Sequence, residues 1–220
     1  MTRSNIITIK LGIVNAYLIQ EDDVFYLIDT GYSKNRKQFN EALIKAGCKK
    51  GNLKLIIVTH GDGDHCGNAA FLRDAYGAQI AISKKELKMV KEGDESESRK
   101  GKPDHLSLLF RIVMKMGIMD GQNSFEGFDP DLFLEDGQSL KPFGFDATIL
   151  ALPGHSKGSI GVLTSQGDLF CGDLLYNMPG FGYIDDESEH KRSIEKIKQL
   201  KPRLIYPGHG KAFSLQSKKV

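Results

Sequence analysis

The chain is poor in cysteine. Cys48, Cys66 and Cys171 are an odd number at unrelated spacings, which argues against a disulfide framework or a four-thiolate zinc site. A reducing cytoplasm is therefore the expected compartment. No apolar run approaches the roughly 20 residues of a membrane span, so no membrane partner is expected. The opening stretch MTRSNIITIKLGIVNAYLI is apolar but broken by Lys10, Gly12 and Asn15, and no small-residue cleavage site follows. It predicts two strands rather than a signal peptide. A basic block is also missing. Lysine and arginine number 30 against 28 aspartates and glutamates, a net charge of +2, so no nucleic-acid partner is expected. The 220 residues suffice for a full hydrophobic core in one domain, 1–220, with an insertion.

Histidine is scarce as well, six in all, and the places where it falls carry the chemistry. Residues 53–58 (LKLIIV) form a β-branched apolar run that predicts a buried strand. The next residues, THGDGDHCGN, hold His60, Asp62, Asp64 and His65 with glycines at 61 and 63. Imidazole and carboxylate suit zinc, iron and manganese. Spacing of i, i+2, i+4 along an extended loop would turn three side chains to one side, and glycine lets backbone approach an ion. Residues 66–77 (CGNAAFLRDAYG) then show helical spacing and a glycine stop. Ligands between a strand's end and a helix's start occupy the place where α/β proteins put active sites.

The same signature returns three times. Pro153-Gly154-His155-Ser156 follows an apolar run, Cys171-Gly172-Asp173 ends one, and Pro207-Gly208-His209-Gly210 follows another. Around these, strands are expected at 6–11, 14–20, 24–30, 79–83, 132–135, 138–140, 146–152, 159–164, 169–171 and 204–206. Helices are expected at 33–47, with Ser33 as N-cap, and at 193–200. Val24 to Asp29 resembles Asp168 to Asp173, each an apolar strand ending in Asp. Asp29 reads equally as a turn former or as a group supporting the ligands. A pattern of strands then helix, met twice, suggests two sheets with helices outside. Between the halves, 84–102 is densely charged and is expected to be solvated or mobile. Residues 106–119 (LSLLFRIVMKMGIM) predict an apolar, Met-rich helix. That helix is either ordinary core, or a cap over the site or a homodimer contact. The whole insertion at 84–136 is expected to control substrate access.

Taken in order, Asp29-Thr30-Gly31, the His60 loop, Gly154-His155-Ser156, Gly172-Asp173 and Gly208-His209-Gly210 resemble the metallo-β-lactamase superfamily, which includes glyoxalase II and lactonases. The resemblance runs nearly end to end. It implies a four-layer αββα sandwich with two divalent transition metals at one edge. By that resemblance His60, position 62 and His155 hold the first metal, Asp64, His65 and His209 the second, and Asp173 bridges them. It also implies hydrolysis of a small ester, thioester or lactone by a metal-bound hydroxide, oriented by Asp64, with Asp29 fixing the loop behind the ligands. One position departs: the family's loop reads H-x-H-x-D-H, and here residue 62 is aspartate. Flavodiiron proteins of the same superfamily carry a carboxylate there and bind iron, so iron and manganese stand beside zinc.

Candidate substrate contacts are His105, beside the Met-rich helix, and Tyr176, Asn177 and Tyr183, which follow Asp173. His190, among charged residues, is expected to be solvated, and Cys66 and Cys171 to be packing residues. A β-lactam substrate is not expected without an export signal. Glyoxalase II proper is not expected either, because little chain follows His209. Three alternatives stand beside the small-molecule hydrolase: a di-iron oxygen or nitric oxide reductase, a small-molecule phosphodiesterase, and a metal-binding module without catalysis.

Overall fold

The computed structural model describes residues 4–94, 102–115 and 125–217. In chain order come β1 (Asn5–Leu11), β2 (Val14–Glu21), β3 (Val24–Ile28), α1 (Arg36–Lys45), β4 (Leu53–Ile57), α2 (Gly63–Cys66), α3 (Ala69–Tyr76), β5 (Gln79–Ile82) and α4 (Leu87–Glu92). These are followed by β6 (His105–Leu106), α5 (Leu108–Lys115), β7 (Leu132–Phe133), β8 (Ala147–Ala151), β9 (Ile160–Thr164), β10 (Asp168–Gly172), β11 (Tyr183–Ile184), α6 (Glu187–Leu200) and β12 (Leu204–Pro207). One sheet has the order β1-β2-β3-β4-β5-β7 and the other β12-β10-β9-β8, while β11 and β6 pair by themselves.

Alternation along the strands builds three apolar layers between four structural ones, because successive side chains leave a strand on opposite faces. Leu18, Leu27 and Ile56 face Phe39 and Leu43 of α1 and Leu72 of α3. Their neighbours Ile19, Tyr26, Ile28, Leu55 and Ile57 face the second sheet, where Ile149, Val162 and Phe170 meet them. The far side of that sheet, with Leu150, Leu169 and Ile205, is covered by Ile194 and Ile197 of α6. This is the αββα sandwich, two mixed sheets flanked by helices.

In the first sheet β3, β4, β5 and β7 run parallel. In the second, β10 runs parallel to β12 and antiparallel to β9, which is antiparallel to β8. The carboxyl ends of β8, β10 and β12 therefore share one edge.

Several expected details differ. A 3-10 turn at Ser33–Asn35 precedes α1, and Asn35, not Ser33, is the N-cap residue. The helix expected at 66–77 breaks after Cys66 and resumes at Ala69, then stops at Gly77 with φ 70°. Residues 138–140 do not form a strand; one bridge joins Ser139 to Thr148 before the Pro142-containing 3-10 turn Lys141–Phe143 redirects the chain. The late helix starts at Glu187, six residues before the expected start, capped by the Asp186 carboxylate accepting from Glu189 N. The charged stretch after Ser83 is not simply solvated. Its first part folds as a 3-10 turn, Lys84–Glu86, and α4, with Glu86, Met89 and Val90 buried. Of the Met-rich helix, Leu108–Lys115 is observed, and 116–119 lie outside the described residues.

Candidate metal centre

Most residues of the site lie just beyond a strand end. Asp29 follows β3, His60 and Asp62 follow β4, His155 follows β8, Asp173 follows β10 and His209 follows β12. The His60 loop is not extended throughout. Gly63–Cys66 is a helical turn, which brings Asp64 and His65 round to a different half of the site from His60 and Asp62. Asp62 occupies the N-cap position of that turn, yet its side chain makes no capping bond. The carboxylate instead lies 3.0 Å from His155 Nε2 and 3.4 Å from His60 Nε2.

Among the described residues three overlapping groups could each hold an ion: His60, Asp62 and His155; His60, His65 and Asp173; and Asp64, His65 and His209. Asp173 joins the halves. Its Oδ1 is 3.2 Å from His65 Nε2, and its Oδ2 is 3.2 Å from His209 Nε2 and 4.0 Å from His155 Nε2. Asp64 Oδ2 is 3.4 Å from His209 Nε2. His60 Nε2, His65 Nε2 and Asp173 Oδ1 are buried and make no hydrogen bond.

The four histidines share one orientation. Each has its Nδ1 beside an oxygen and turns its Nε2 into the cluster. The Nδ1 partners are Thr59 Oγ1 for His60 at 3.0 Å, Asp29 Oδ2 for His65 at 2.8 Å, the Tyr183 carbonyl for His155 at 3.2 Å and the Ile13 carbonyl for His209 at 2.9 Å. A histidine that binds metal through one nitrogen characteristically uses the other in this way. Four imidazole nitrogens and three carboxylates, several of them otherwise orphaned, are a donor set that fits two divalent cations.

Asp29 supports this set from behind. Its Oδ1 accepts from Thr59 N at 2.8 Å, and its Oδ2 lies 2.9 Å from Thr59 Oγ1 and 2.8 Å from His65 Nδ1. It does so from a left-handed backbone, φ 61°, a conformation that costs a non-glycine residue energy and persists where the surroundings impose it. Gly208 is required by a close approach, since a Cβ there would collide with Asp173 Oδ1 and His65 Cε1.

The electrostatics show a cluster short of positive charge. Burial pulls the His209 imidazole down, but Asp173 and Asp64 outweigh it and lift its pKa to about 10. His65, despite burial, is raised well above its ordinary value by Asp173, Asp64 and Asp29. Burial pushes Asp173 up, yet His209 and His65 hold it well below the usual carboxylate range. Asp64 is likewise lowered, by His65 and His209 against burial. Protons on His65 and His209 thus occupy the role a metal would take, and a metal must displace them. Zinc binding at pH 8 is expected to release protons, and displacement of the His209 proton alone should raise apparent affinity roughly tenfold per pH unit until pH passes about 10. Calorimetry in buffers of differing ionisation enthalpy reads this directly; binding without proton release would contradict it.

Of the weaker candidates, Tyr176 reaches the cluster. Its hydroxyl is 3.1 Å from His155 Nδ1 and its ring stacks on His209. Tyr183 contributes its carbonyl to His155 and packs its ring edge-on against that imidazole. Asn177 turns elsewhere, donating to the Lys211 carbonyl at 2.8 Å and so holding the His209 loop. His105 is exposed on β6, paired with Ile184, and is not brought into the cluster. His190 is not solvated as expected: it is partly buried, with Nε2 2.9 Å from the Leu174 carbonyl and its pKa pulled down by burial.

Sequence reasoning missed Phe181 and Glu86, while Phe110 falls in the insertion expected to control substrate access. Phe181 packs against both His209 and Phe110, and Phe110 against Tyr183, so α5 and the loop after Asp173 form an aromatic wall beside the cluster. The β6–β11 pair stitches the same two segments together. A cleft beside His155 is lined by Lys85, Met89, Lys157 and Asp185. No periodicity or motif marks these residues. Only their position after recognised ligands, or within the insertion, could have raised them.

Hydroxyacylglutathione hydrolase GloC of Haemophilus influenzae is 30% identical over 176 residues, covering 76% of this chain and 74% of that protein. Two solved structures share the fold. BLEG-1 B3 metallo-beta-lactamase has a TM-score of 0.73 at 22% identity, covering 96% of this chain and 95% of that one. TTHA1623 in a di-iron-bound form has a TM-score of 0.69 at 24% identity, with coverage of 96% and 95%. The family profile described as the metallo-beta-lactamase superfamily matches residues 9–209, a span that takes in all seven clustered side chains; the chain belongs to that superfamily.

Proposed function

We propose that the protein is a binuclear metal-dependent hydrolase of a small thioester, ester or lactone. His60, Asp62 and His155 would hold one ion, Asp64, His65 and His209 the other, with Asp173 between them. The observation that carries this reading is the common orientation of the four histidines, Nδ1 beside an oxygen and Nε2 facing inward. Bound there, two divalent ions would act as Lewis acids and make hydroxide available near neutral pH. Zinc is the first choice, and iron or manganese fits the extra oxygen ligand of Asp62.

The chain's own groups supply the rest. Asp64, 3.4 Å from His209 Nε2, is placed to accept a hydrogen bond from a water in the site and orient it. Tyr176, whose hydroxyl meets His155 Nδ1 and whose ring stacks on His209, would help fix both imidazoles. The aromatic wall of Phe110, Phe181 and Tyr183 offers an apolar surface for an acyl group. Lys85 and Lys157, exposed at the cleft beside His155, favour a substrate bearing an anionic group. A thioester comes first because the relative GloC is named for one.

The test is metal analysis of the purified protein, followed by a panel of chromogenic thioesters, esters, lactones and phosphodiesters. The expected result is two transition metals per chain and turnover of a carbonyl substrate that a chelator abolishes and added metal restores. Turnover of phosphodiesters alone, or no turnover by the two-metal protein, would overturn the assignment.

A further inference from the structure

Glu86 is buried, 4% exposed, in the 3-10 turn before α4. Its Oε2 accepts from Gly61 N at 3.0 Å. Its Oε1 accepts from Gly158 N at 2.7 Å and from Ser156 Oγ at 2.9 Å. Gly61 is the residue between His60 and Asp62, and Ser156 is the residue after His155. One carboxylate therefore joins the two loops that carry the first half of the cluster, loops that arrive from different sheets and lie about 95 positions apart in sequence.

The surroundings are shaped to the carboxylate. A Cβ on Gly158 would collide with Oε1, and one on Gly61 would meet Met89 Sδ at 2.6 Å and Glu86 Oε2 at 3.1 Å. Among the described residues no lysine or arginine forms an ion pair with Glu86. A buried carboxylate held only by uncharged donors is a costly arrangement, sustained by charge-assisted hydrogen bonds. Its counterpart is Asp29, which ties Thr59 to His65. Asp29 braces the His65 side, and Glu86 braces the His60–Asp62–His155 side.

We propose that Glu86 is a positioning residue which sets the geometry of the His60–Asp62–His155 metal site through the Gly61 amide and the Ser156–Gly158 turn. The proposal rests on the binuclear reading above. It touches no metal itself. Its action is on ligand direction, which is where a supporting hydrogen bond influences affinity.

Glu86→Gln keeps the shape and one acceptor but sets an amide N–H against either Gly61 N–H or the donors on the other side. Cobalt(II) titration of the purified chain, competed with a chelator, gives the two stepwise affinities, and proton NMR of the cobalt-loaded protein reports the shifted imidazole N–H signals. Glu86→Gln is expected to weaken one of the two sites by roughly ten- to a hundredfold. The shifted signals of His60 and His155 should be lost at low cobalt, while those of His65 and His209 persist. Ser156→Ala, which removes one of the three bonds, should do the same more weakly and guards against a Glu86 variant that fails to fold. Two unchanged affinities in a folded variant, or equal falls at both sites, would overturn the proposal. Wild-type protein that binds no cobalt would instead refute the binuclear reading on which it stands.

Discussion

Asp173→Ala is expected to lower kcat/KM by roughly a thousandfold, the scale set by losing about 4 kcal/mol when a buried charge partner is removed. The reason is reach. Asp173 Oδ1 and Oδ2 stand 3.2 Å from His65 and His209, and Oδ2 also lies 4.0 Å from His155. Among the described residues it is the carboxylate of the cluster in contact with histidines of both halves, two in the second and, at longer range, one in the first. Its loss should therefore lower metal content at both sites, not one. Elemental analysis alongside kinetics checks this, with circular dichroism confirming the fold. A variant that keeps two metals and near-normal turnover would remove Asp173 from the bridging role.

Asp62→His is expected to move the acidic limb of the kcat/KM profile to lower pH by about one unit, the size of shift that removing a neighbouring negative charge produces. The wild-type cluster carries three carboxylates, Asp62, Asp64 and Asp173, within one buried space. Each opposes the loss of a further proton inside it, so the active form should develop at a higher pH than with imidazole at 62. The histidine also replaces an oxygen donor by nitrogen, which should favour zinc over iron or manganese. Asp62→Ala should lose metal from the first half, because the carboxylate faces His155 and His60 rather than capping α2. An acidic limb that moves upward in a two-metal histidine variant would refute the charge argument. Unchanged stoichiometry in the alanine variant would remove Asp62 from the ligand set.

Much of the fold is legible in the sequence because its signals are local and strong. The run LKLII is apolar but for Lys54, and it becomes β4 at the centre of a parallel set, with every residue but Lys54 buried. Gly77 stops α3 in the left-handed region. The seven ligand-type residues are legible for a different reason: all but His65 sit beside a glycine in a segment that follows an apolar strand, and metal-binding chemistry restricts the choice of side chain. What escapes is whatever depends on pairing across the chain. Glu86 stands in a run of lysines and glutamates, and nothing local separates a carboxylate that will be buried under two loops from one that will meet water. Residues 138–140 have strand-like composition but pair at a single bridge, since Pro142 and the turn it favours lie just beyond. His190 reads as solvated among charges, whereas α6 presses it against Gly154, where any side chain would collide with its backbone.

The last ligand is held by the first strands. His209 Nδ1 meets the Ile13 carbonyl, Asn15 Nδ2 donates to the Pro207 and Gly210 carbonyls, and Tyr17 Oη donates to Pro207 O at 2.5 Å. These contacts span 190 to 196 residues of chain, among the slowest kinds of closure a folding polypeptide makes. Until that closure is made, the Ile13 carbonyl and the Asn15 and Tyr17 side chains lack these partners. The Asp64–His65 group then lacks its third side chain, His209. Any ion held by that group would therefore depend on the two ends of the fold having met.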